Sequence, residues 1–335
     1  MKALVTGGGG FLGRHVVQQL RARGDDVTVL ARGHYPQVEA LGATSVQWDL
    51  TRAEGLADVV RSHDVVFHVA SFVGPWGRRQ QFLDINVGGT ENLLAACRDA
   101  GVTRFVYTSS PSATFGPEPA DPGTEASCPY PVVFGSDYSE SKALAEQQVL
   151  AANGPELATT SLRPHLIYGP DEPHMLPRIL ARQRQGRLKR VGDGQNRVSL
   201  TFVDNGAAAH LQAADALAPS SPNAGKAYFI NDPEPVVLWH WIDRFLEGVG
   251  AGRVQGAVSL KLAGRVGGVL EWIWRTFRLG GEPPMTRFGA FGLGTTHWYR
   301  CSAAEQDFGF ACPVSGEEGL ARTVAAFKGD ATSAD

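Results

Sequence analysis

Apolar runs and amphipathic stretches alternate through the first half of the chain, which predicts strands alternating with helices. Residues 2–6 form a short apolar run, and apolar positions then recur at helical spacing over 11–20 before Gly24. DVTVLA, SVQWDL, DVVFHVAS, RFVYTSS and SLRPHLIYGP predict five further strands, with a helix over 80–100 before RFVYTSS. Such alternation is typical of parallel sheets with right-handed crossovers, whose ligands lie at the carboxyl ends of the strands.

This pattern predicts an α/β fold with a Rossmann-type doubly wound parallel sheet over residues 1–168. Beyond that point the alternation loosens, and residues 169–335 are predicted to form a smaller, interleaved substrate-binding lobe. A strand and helix at about 196–216 are expected to return to the main sheet, and KAYFIND predicts another short strand. Five of the seven tryptophans follow residue 238, so the expected lobe is rich in aromatic side chains.

The glycines of VTGGGGFLGR lie between the first predicted strand and the first predicted helix. Gly7, Gly10 and Gly13 form a G-x-x-G-x-x-G pattern. In a dinucleotide-binding unit the first glycine permits the turn, the second admits the pyrophosphate, and the third lets the helix pack on the strand. The helix N-terminus attracts the phosphates. The sequence therefore predicts a dinucleotide site, with Phe11 and Leu12 of the first helical turn beside the cofactor.

The end of the second strand indicates which dinucleotide binds. Most NAD-binding proteins place Asp or Glu there to accept a hydrogen bond from the ribose 2′-hydroxyl. This chain has Arg32 instead, whose guanidinium suits a 2′-phosphate, and Arg14 lies in the neighbouring helical turn. NADP is therefore favoured; NAD is the alternative, in which Arg32 is a solvated loop charge. Asp49, at the end of the third strand, is expected to meet the adenine amino group. Further expected cofactor contacts are Leu50 and Ala70.

Tyr138 and Lys142 form the clearest catalytic pair. They lie four residues apart in DYSESKALAEQQVL, so one helical turn places both side chains on the same face. A nearby ammonium favours the phenolate and lowers the phenol pKa, which allows proton exchange with a carbinol or carbonyl near neutral pH. The lysine is also within reach of a nicotinamide ribose. A serine hydroxyl of YTSSPSATFG, at the end of the fifth strand, would polarise the substrate oxygen.

Together these motifs resemble the short-chain dehydrogenase/reductase superfamily in its extended form. The matching stretches are TGGGGFLG, NVGGT, TSS, the Tyr138/Lys142 pair and RPHLIYGP. The resemblance implies that Tyr138 is the general acid/base, that Lys142 is its partner and ribose anchor, and that Ser110 donates a hydrogen bond to the carbonyl. Ser109 and Ser112 are rivals for that role, because SSPSATFG has one residue more before its glycine than the usual pattern.

The same resemblance assigns two further cofactor residues and an assembly. Asn86, the first residue of NVGGT, is expected to contact the cofactor or a bound water. Pro164 is expected to begin the segment that lies along the nicotinamide. Dimers through the helices at 80–100 and 137–152 are also implied by the resemblance.

Residues 258–279, VSLKLAGRVGGVLEWIWRTFRL, have the pattern of a basic amphipathic helix bordered by two tryptophans. On a helical wheel the apolar side chains fall on one side and the basic ones on the other. The segment is expected to border the substrate entrance, either in peripheral contact with a membrane or as a cover whose apolar face points inward. Three glycines weaken it as a continuous helix. The apolar set is Leu262, Val266, Val269, Leu270, Ile273 and Phe277; the opposite set is Lys261, Arg265, Glu271, Arg275 and Arg278.

The tail PPMTRFGAFGLGTTHWYRCSAAEQDFGFACPVSGEEGLARTV resembles the 3β-hydroxysteroid dehydrogenase family, which includes sterol-4-carboxylate 3-dehydrogenases and bacterial 2-alkyl-3-oxoalkanoate reductases. The resemblance implies NAD(P)-dependent interconversion of a secondary alcohol and a ketone on a bulky apolar substrate. One alternative is a sugar-nucleotide epimerase or dehydratase, with Arg178, Arg182 and Lys189 clamping a second pyrophosphate. Another is a catalytically silent NADP-sensing module, which the Tyr/Lys pair disfavours.

Composition narrows the possible partners and the compartment. The net charge of −3 and 19% charged residues argue against a nucleic-acid partner, because phosphate neutralisation needs a basic surface. Four cysteines stand far apart, so neither a disulfide framework nor a metal site is expected, and a reducing cytoplasm fits. The start, KALVTGG, has no basic-then-apolar leader, and no apolar run approaches the ~18 residues of a membrane span. A cytoplasmic protein is expected, with peripheral membrane contact as the one open addition.

Overall fold

A computed structural model describes residues 1–116 and 120–332. Seven parallel strands form its central sheet, in the order β3-β2-β1-β4-β5-β7-β12. The predicted doubly wound Rossmann-type sheet is confirmed. In chain order the strands are β1 (Lys2–Thr6), β2 (Asp26–Ala31), β3 (Thr44–Gln47), β4 (Val65–His68), β5 (Arg104–Thr108), β6 (Ala120–Gly123), β7 (Ala158–Pro164), β8 (Ile167–Tyr168), β9 (Arg190–Val191), β10 (Arg197–Val198), β11 (Thr201–Phe202), β12 (Lys226–Ile230), β13 (Val236–Val237), β14 (Ala257–Val258) and β15 (His297–Tyr299).

Helices cover both faces of this sheet. A π-helical turn at Leu83–Gly88 joins α4 to α5, so helical structure is continuous over the predicted 80–100 segment. The helices are α1 (Phe11–Ala22), α2 (Pro36–Glu39), α3 (Leu56–Val60), α4 (Arg79–Phe82), α5 (Gly89–Ala100), α6 (Asp137–Ala151), α7 (Met175–Arg184), α8 (Val203–Ala216), α9 (Leu238–Gly248), α10 (Leu260–Thr276), α11 (Arg287–Gly294), α12 (Ser302–Phe308) and α13 (Gly316–Thr332).

The period-two alternation of the strands creates two hydrophobic cores. On β1, Ala3 and Val5 pack into the core that contains α1 and α8, whereas Leu4 packs into the core that contains α3, α5 and α6. Side chains of all three are completely buried. A strand that is apolar on both faces must be covered on both faces, which explains the continuous apolar runs of the sequence.

The lobe is interleaved with the sheet more deeply than expected, and the predicted return at about 196–216 needs a correction. The strand in that stretch, β11, pairs with β8 and not with the central sheet. Its helix, α8, does return and packs on α1. The strand that joins the sheet is β12, which pairs in parallel with β7. Conversely, β6 leaves the first half and becomes the edge of the lobe's four-stranded sheet, β13-β10-β15-β6.

Two-residue strands such as β11 carry too few side chains for periodicity to define their partners. The longer β12 has a buried run at Tyr228–Ile230, which covers the sheet edge beyond β7. Within the described ranges no helix is both long enough and apolar enough to cross a bilayer.

Candidate active site

The glycine loop after β1 is built by close backbone approach. Gly7 has φ +69°, and a Cβ there would lie 2.7 Å from the backbone of Ala70. A Cβ on Gly13 would lie 2.2 Å from the Gly7 carbonyl oxygen, so any larger residue would push α1 away from the loop. Gly10 is the N-cap of α1 and makes no side-chain cap. The first-turn amides of Phe11, Leu12 and Gly13 are therefore free of the intrahelical bonds that later turns make.

The carboxyl ends of β2 and β3 place Arg32 and Asp49 close together. Arg32 is exposed, and its charge contributes to lowering the Asp49 pKa, after the hydrogen bond from the Thr51 amide as the largest cause. The Tyr35 ring packs over Gly9, where a Cβ would be 2.3 Å from the ring. Tyr35 was not predicted as a site residue. Its position four residues after the end of β2 was the one feature of the sequence that could have indicated this role. Tyr35 therefore covers one side of the glycine loop.

Leu50, Ala70 and Pro164 line the same end of the sheet through packing and backbone contacts. Leu50 packs against Gly89 at the start of α5, where a Cβ would be 3.2 Å from the Leu50 Cβ. The Ala70 amide donates to the Thr6 hydroxyl at 3.2 Å. Pro164 ends β7 beside Ile230 of β12. All three lie where the strands finish, and their contacts with a cofactor stay a prediction.

Arg14, the proposed helper of Arg32, is engaged elsewhere: its guanidinium contacts the Asp171 carboxylate at 2.7 Å, across the loop that follows β8. Both side chains are reached by solvent, so the pair is weak and exchangeable. Arg32 remains the main specificity candidate at the end of β2, and the exchangeable pair with Asp171 leaves Arg14 able to help it.

Tyr138, in the first turn of α6, faces the serines at the end of β5. The Ser110 hydroxyl interacts with the Tyr138 phenol, and the Ser112 hydroxyl donates to the Ser110 oxygen at 3.0 Å. The Ser109 hydroxyl is buried and has no partner among the described residues. Of the three candidate serines, Ser110 is the one close enough to the tyrosine to lower its pKa.

Lys142 lies one turn further along α6 and is almost fully buried. Its ammonium donates to the Thr108 carbonyl at 2.6 Å and lies 4.4 Å from the centre of the Tyr107 ring. Burial lowers the pKa of Lys142 to about 7, against the opposing charge of Glu146. Burial also raises the pKa of Tyr138 to about 12, with only partial compensation from Ser110. The expected lowering of the phenol pKa by the lysine is not found in this structure, where desolvation dominates and Ser110 supplies the opposing effect.

A buried ion pair beneath the catalytic helix was not predicted. Glu146, one turn after Lys142, accepts from the Arg163 guanidinium at 2.6 Å, from the Tyr130 hydroxyl at 2.7 Å and from the Ser161 hydroxyl at 2.7 Å. Arg163 also stacks over the Phe229 ring at 5.2 Å. The network joins α6 to β7 directly before Pro164. The arginine of RPHLIYGP was its only signal in the sequence.

Asn86 is bonded within the protein, and its contact with a cofactor or water stays a prediction. Its amide oxygen accepts from the Phe72 amide at 2.7 Å and from the Ser71 hydroxyl at 3.2 Å, and its nitrogen donates to the Phe72 carbonyl and the Ser141 hydroxyl. These bonds use both amide hydrogens and the oxygen. Asn86 therefore clamps the loop after β4 to the catalytic helix.

An aromatic wall stands next to the catalytic serines. Phe115 lies 6.2 Å from Phe288, 5.8 Å from Phe291 and 5.1 Å from His297, measured between ring centroids. The Nε2 atom of His165 shares a hydrogen bond of 2.9 Å with the Nδ1 atom of His297. Burial lowers the pKa of both imidazoles, so the pair is neutral near pH 7. Phe288 and Phe291 belong to α11, which carries apolar surface from the lobe to the site.

Helix α10 corrects one expectation for residues 258–279 and bears on the alternatives left open for its apolar face. It is continuous despite its glycines, because Gly267 and Gly268 form the face that packs on Thr286 and Arg287; a Cβ on Gly267 would be 2.7 Å from the Thr286 carbonyl carbon. Most of the apolar face points outward: Leu262, Val266, Val269 and Phe277 are exposed to solvent. Leu270 and Ile273, from the same predicted set, are half-buried.

The cations predicted to clamp a second pyrophosphate are held within the lobe. Arg178 pairs with Glu282 at 2.9 Å, Arg182 donates to the Pro284 carbonyl, and Lys189 reaches the Gln255 carbonyl at 3.4 Å. The structure does not bring them to one point at the catalytic tyrosine.

The sheet, glycine loop and Tyr/Lys pair define a dinucleotide-dependent enzyme of the extended short-chain dehydrogenase/reductase class. Solved structures similar to this chain include MoeE5 in complex with UDP-glucose and NAD (25% identity, TM-score 0.75, 99% of this chain and 100% of that one). Another is UDP-glucose 4-epimerase from Thermotoga maritima (22% identity, TM-score 0.77, 99% and 100%), a likeness that shows the fold alone.

Sequence comparison narrows the class to a family. Residues 4–262 match the model of the 3-beta hydroxysteroid dehydrogenase/isomerase family, and the chain belongs to that family. It is an NAD(P)-dependent oxidoreductase that acts on CH–OH groups, as predicted. The chain is 46% identical to a 2-alkyl-3-oxoalkanoate reductase of Stenotrophomonas maltophilia, over 96% of this chain and 98% of that protein. It is 34% identical to the decarboxylating sterol-4-alpha-carboxylate 3-dehydrogenase of Homo sapiens, over 98% and 88%.

Proposed function

We propose that this protein reduces the 3-ketone of a long-chain 2-alkyl-3-oxo acid with NADPH. The arrangement of Tyr138 one helical turn before a buried Lys142, whose ammonium donates to the carbonyl of Thr108 at the end of β5, is the observation that carries the reaction type. The aromatic wall around Phe115 supports an apolar substrate, since polar groups for a second pyrophosphate do not converge there. The relative with 46% identity is named for this reaction. A 3-hydroxysterol is the alternative apolar substrate.

The glycine loop fits a dinucleotide. The positions of Gly7 and Gly13 leave no room for a Cβ, and the uncapped start of α1 presents its amides to an anion. Arg32 and Asp49 would hold the adenosine end, and Lys142 the nicotinamide ribose. When bound, NADPH supplies the hydride that reduces the ketone carbon.

The catalytic side chains supply the proton that the ketone oxygen needs. Tyr138 carries its proton throughout the neutral range because its pKa lies near 12. It delivers that proton to the ketone oxygen as the carbonyl group becomes a hydroxyl. Ser110 donates a hydrogen bond to the same oxygen and orients the substrate. The ammonium of Lys142 stabilises the phenolate that Tyr138 leaves behind. Asn86 and Glu146 position α6 through their bonds to Ser141, Arg163 and Ser161.

Cofactor oxidation with a panel of substrates tests this function. We expect NADPH consumption with long-chain 2-alkyl-3-oxo acids, slower consumption with 3-ketosteroids, and none with UDP-sugars. Binding of UDP-sugars at micromolar concentration, with no turnover of oxo acids, would replace the proposal by a sugar-nucleotide activity.

Arg32 is proposed to select NADPH. A bidentate contact between its guanidinium and the 2′-phosphate is worth about 1.5–3 kcal/mol, which corresponds to roughly ten- to a hundredfold in affinity. Arg32→Ala should weaken NADPH binding by that factor and change NADH binding little, as measured by fluorescence titration. Arg61→Ala serves as the matched control, since Arg61 is an exposed arginine at the end of α3 that pairs only with Asp58 among the ion pairs of the described residues. Equal affinities of the unaltered protein for NADPH and NADH would refute the assignment.

Assembly as a homodimer through α4–α5 and α6 stays a proposal that rests on the family resemblance. These helices lie together on one face of the sheet. Light scattering of the purified protein measures the assembly directly.

A further inference from the structure

Helix α10 is mounted with its apolar stripe outward. Val269 is 57% exposed and Phe277 is 65% exposed, and Leu262 and Val266 continue the same line. The inward face consists of small residues: Ala263 is buried, and Gly268 would have a Cβ 2.3 Å from the Arg287 guanidinium. A surface helix normally buries its apolar stripe, so an exposed one indicates a binding surface.

The other strongly exposed large hydrophobic side chains of the described ranges lie close to the same place. They occur in two loops, and both loops join α10 in lining one small cavity. Pro75 and Gly135 line it from the loops, and Arg275 from α10. These loops also present Val73, Val132 and Val133, of which Val132 is 99% exposed. The stripe and the two loop tips therefore form one apolar rim, which we call the α10 rim.

The charges of the α10 rim favour an anionic partner. Between residues 260 and 279 the chain has four basic residues and one acidic residue, although the whole protein has a net charge of −3. Glu271 points inward and accepts from the Arg287 amide at 2.8 Å, so the outer side is basic. Trp272 is 62% exposed on the border of the stripe. The four basic residues, all exposed, are Lys261, Arg265, Arg275 and Arg278.

The α10 rim borders the entrance to the active site. The Arg275 guanidinium lies 3.9 Å from the Asp137 carboxylate and 5.3 Å from the centre of the Trp76 ring. Asp137 directly precedes Tyr138 in the catalytic helix. Phe288, which lines the same cavity, is part of the aromatic wall. Whatever covers the α10 rim is thus adjacent to the path by which a substrate reaches Tyr138.

We propose that the α10 rim docks on the surface of an anionic lipid bilayer, with the active-site entrance facing the lipid. Apolar side chains flanked by Lys, Arg and Trp are the composition that an interfacial helix needs, and anionic head groups attract the basic flank. A second copy of this chain is a poorer occupant, because a symmetric contact would bring two basic segments together. The proposal extends the proposed function, since it gives a scarcely soluble long-chain acid a direct route from the bilayer.

Vesicle sedimentation of the NADPH-bound protein tests the proposal. We expect the protein to sediment with vesicles of phosphatidylglycerol and phosphatidylcholine, to bind pure phosphatidylcholine less, and to be released as salt is raised to about 1 M, where the Debye length is about 3 Å. Val266→Asp/Val269→Asp should reduce binding at least about tenfold, because two charges enter the apolar stripe. Both positions are exposed, so the fold tolerates the change.

The matched control is Arg61→Glu/Arg184→Glu, which adds more negative charge at two exposed arginines outside the α10 rim. It should lose less vesicle binding than the stripe variant. Unaltered protein that stays in the supernatant, or a stripe variant that binds as well, would overturn the proposal. So would a stripe variant that only changes a dimer into a monomer, since the rim would then be an interface between copies.

A parallel assay separates this proposal from the proposed function. The stripe variant should reduce a short, water-soluble 3-oxo acid at the normal rate and a vesicle-embedded long-chain acid more slowly. If the unaltered protein reduces no oxo acid yet binds anionic vesicles, the proposed function fails and the docking surface stands.

Discussion

Replacing Tyr138 by phenylalanine should lower kcat by roughly 10²–10⁴-fold, the usual contribution of a positioned general acid. The ring keeps its packing beside Phe82, at 6.1 Å between centroids, and only the transferable proton is lost. NADPH affinity should stay nearly unchanged, because the proposed cofactor contacts of the glycine loop and Lys142 are untouched. Steady-state kinetics and a separate NADPH titration measure the two effects.

Two companion variants sharpen this result. Ser110→Ala should lower kcat less than Tyr138→Phe, because it removes a hydrogen bond to the substrate oxygen and not the proton itself. Ser109→Ala is its control, since the Ser109 hydroxyl has no partner among the described residues. Near-normal turnover of Tyr138→Phe would show that the proton follows another path.

Pattern reasoning succeeded where periodicity directly reflects burial. The strands β1 to β5 and the glycine loop were predictable because a buried parallel strand is apolar on both faces and a helix that packs tightly on it needs glycine at one position. The Tyr138/Lys142 pair was singled out by its helical spacing together with the preceding glycine loop and the serine-rich end of β5. None of these inferences required a contact between distant segments of the chain.

Helix α10 shows why the remaining structure was harder to predict. The periodicity correctly located an apolar stripe, but it does not tell which side of a helix faces the protein. Gly267 and Gly268 decide the orientation here, because their bare backbone allows α11 to approach closely on the opposite side. Glycine has a low intrinsic helix propensity, yet here two glycines determine which face of the helix packs on the protein. A scale of helix propensity does not contain that information.

The buried pair of Glu146 and Arg163 was also beyond sequence reasoning, since it joins two elements 17 residues apart. Burial alone would raise the pKa of Glu146, but the Arg163 guanidinium and the hydroxyls of Tyr130 and Ser161 hold it below its usual value. Removing one member of a buried pair leaves the other charge uncompensated, which lowers the free energy of unfolding by about 3–5 kcal/mol. Removing both charges leaves no such penalty.

We therefore expect a non-additive result from this pair. Arg163→Leu and Glu146→Gln should each lower the free energy of unfolding by about 3–5 kcal/mol, whereas the double variant should be more stable than either single one. In the double variant, the side-chain amide introduced at position 146 can still bond to Tyr130 and Ser161, and no unpaired charge remains. Urea unfolding at fixed pH measures all four proteins. Additive losses would mean that the pair is not coupled through charge.

The pH dependence of Arg163→Leu gives an independent check with a defined sign. Without the guanidinium, burial raises the folded-state pKa of Glu146 above its unfolded value, so the folded protein binds a proton more readily. Its stability relative to the unaltered protein should therefore improve as pH falls from about 8 to about 5. In the unaltered protein the Glu146 pKa is lowered, so its contribution is present above the unfolded value and is lost as pH falls. A defect in Arg163→Leu that grows toward pH 5 would contradict the electrostatic account of how α6 is held to β7.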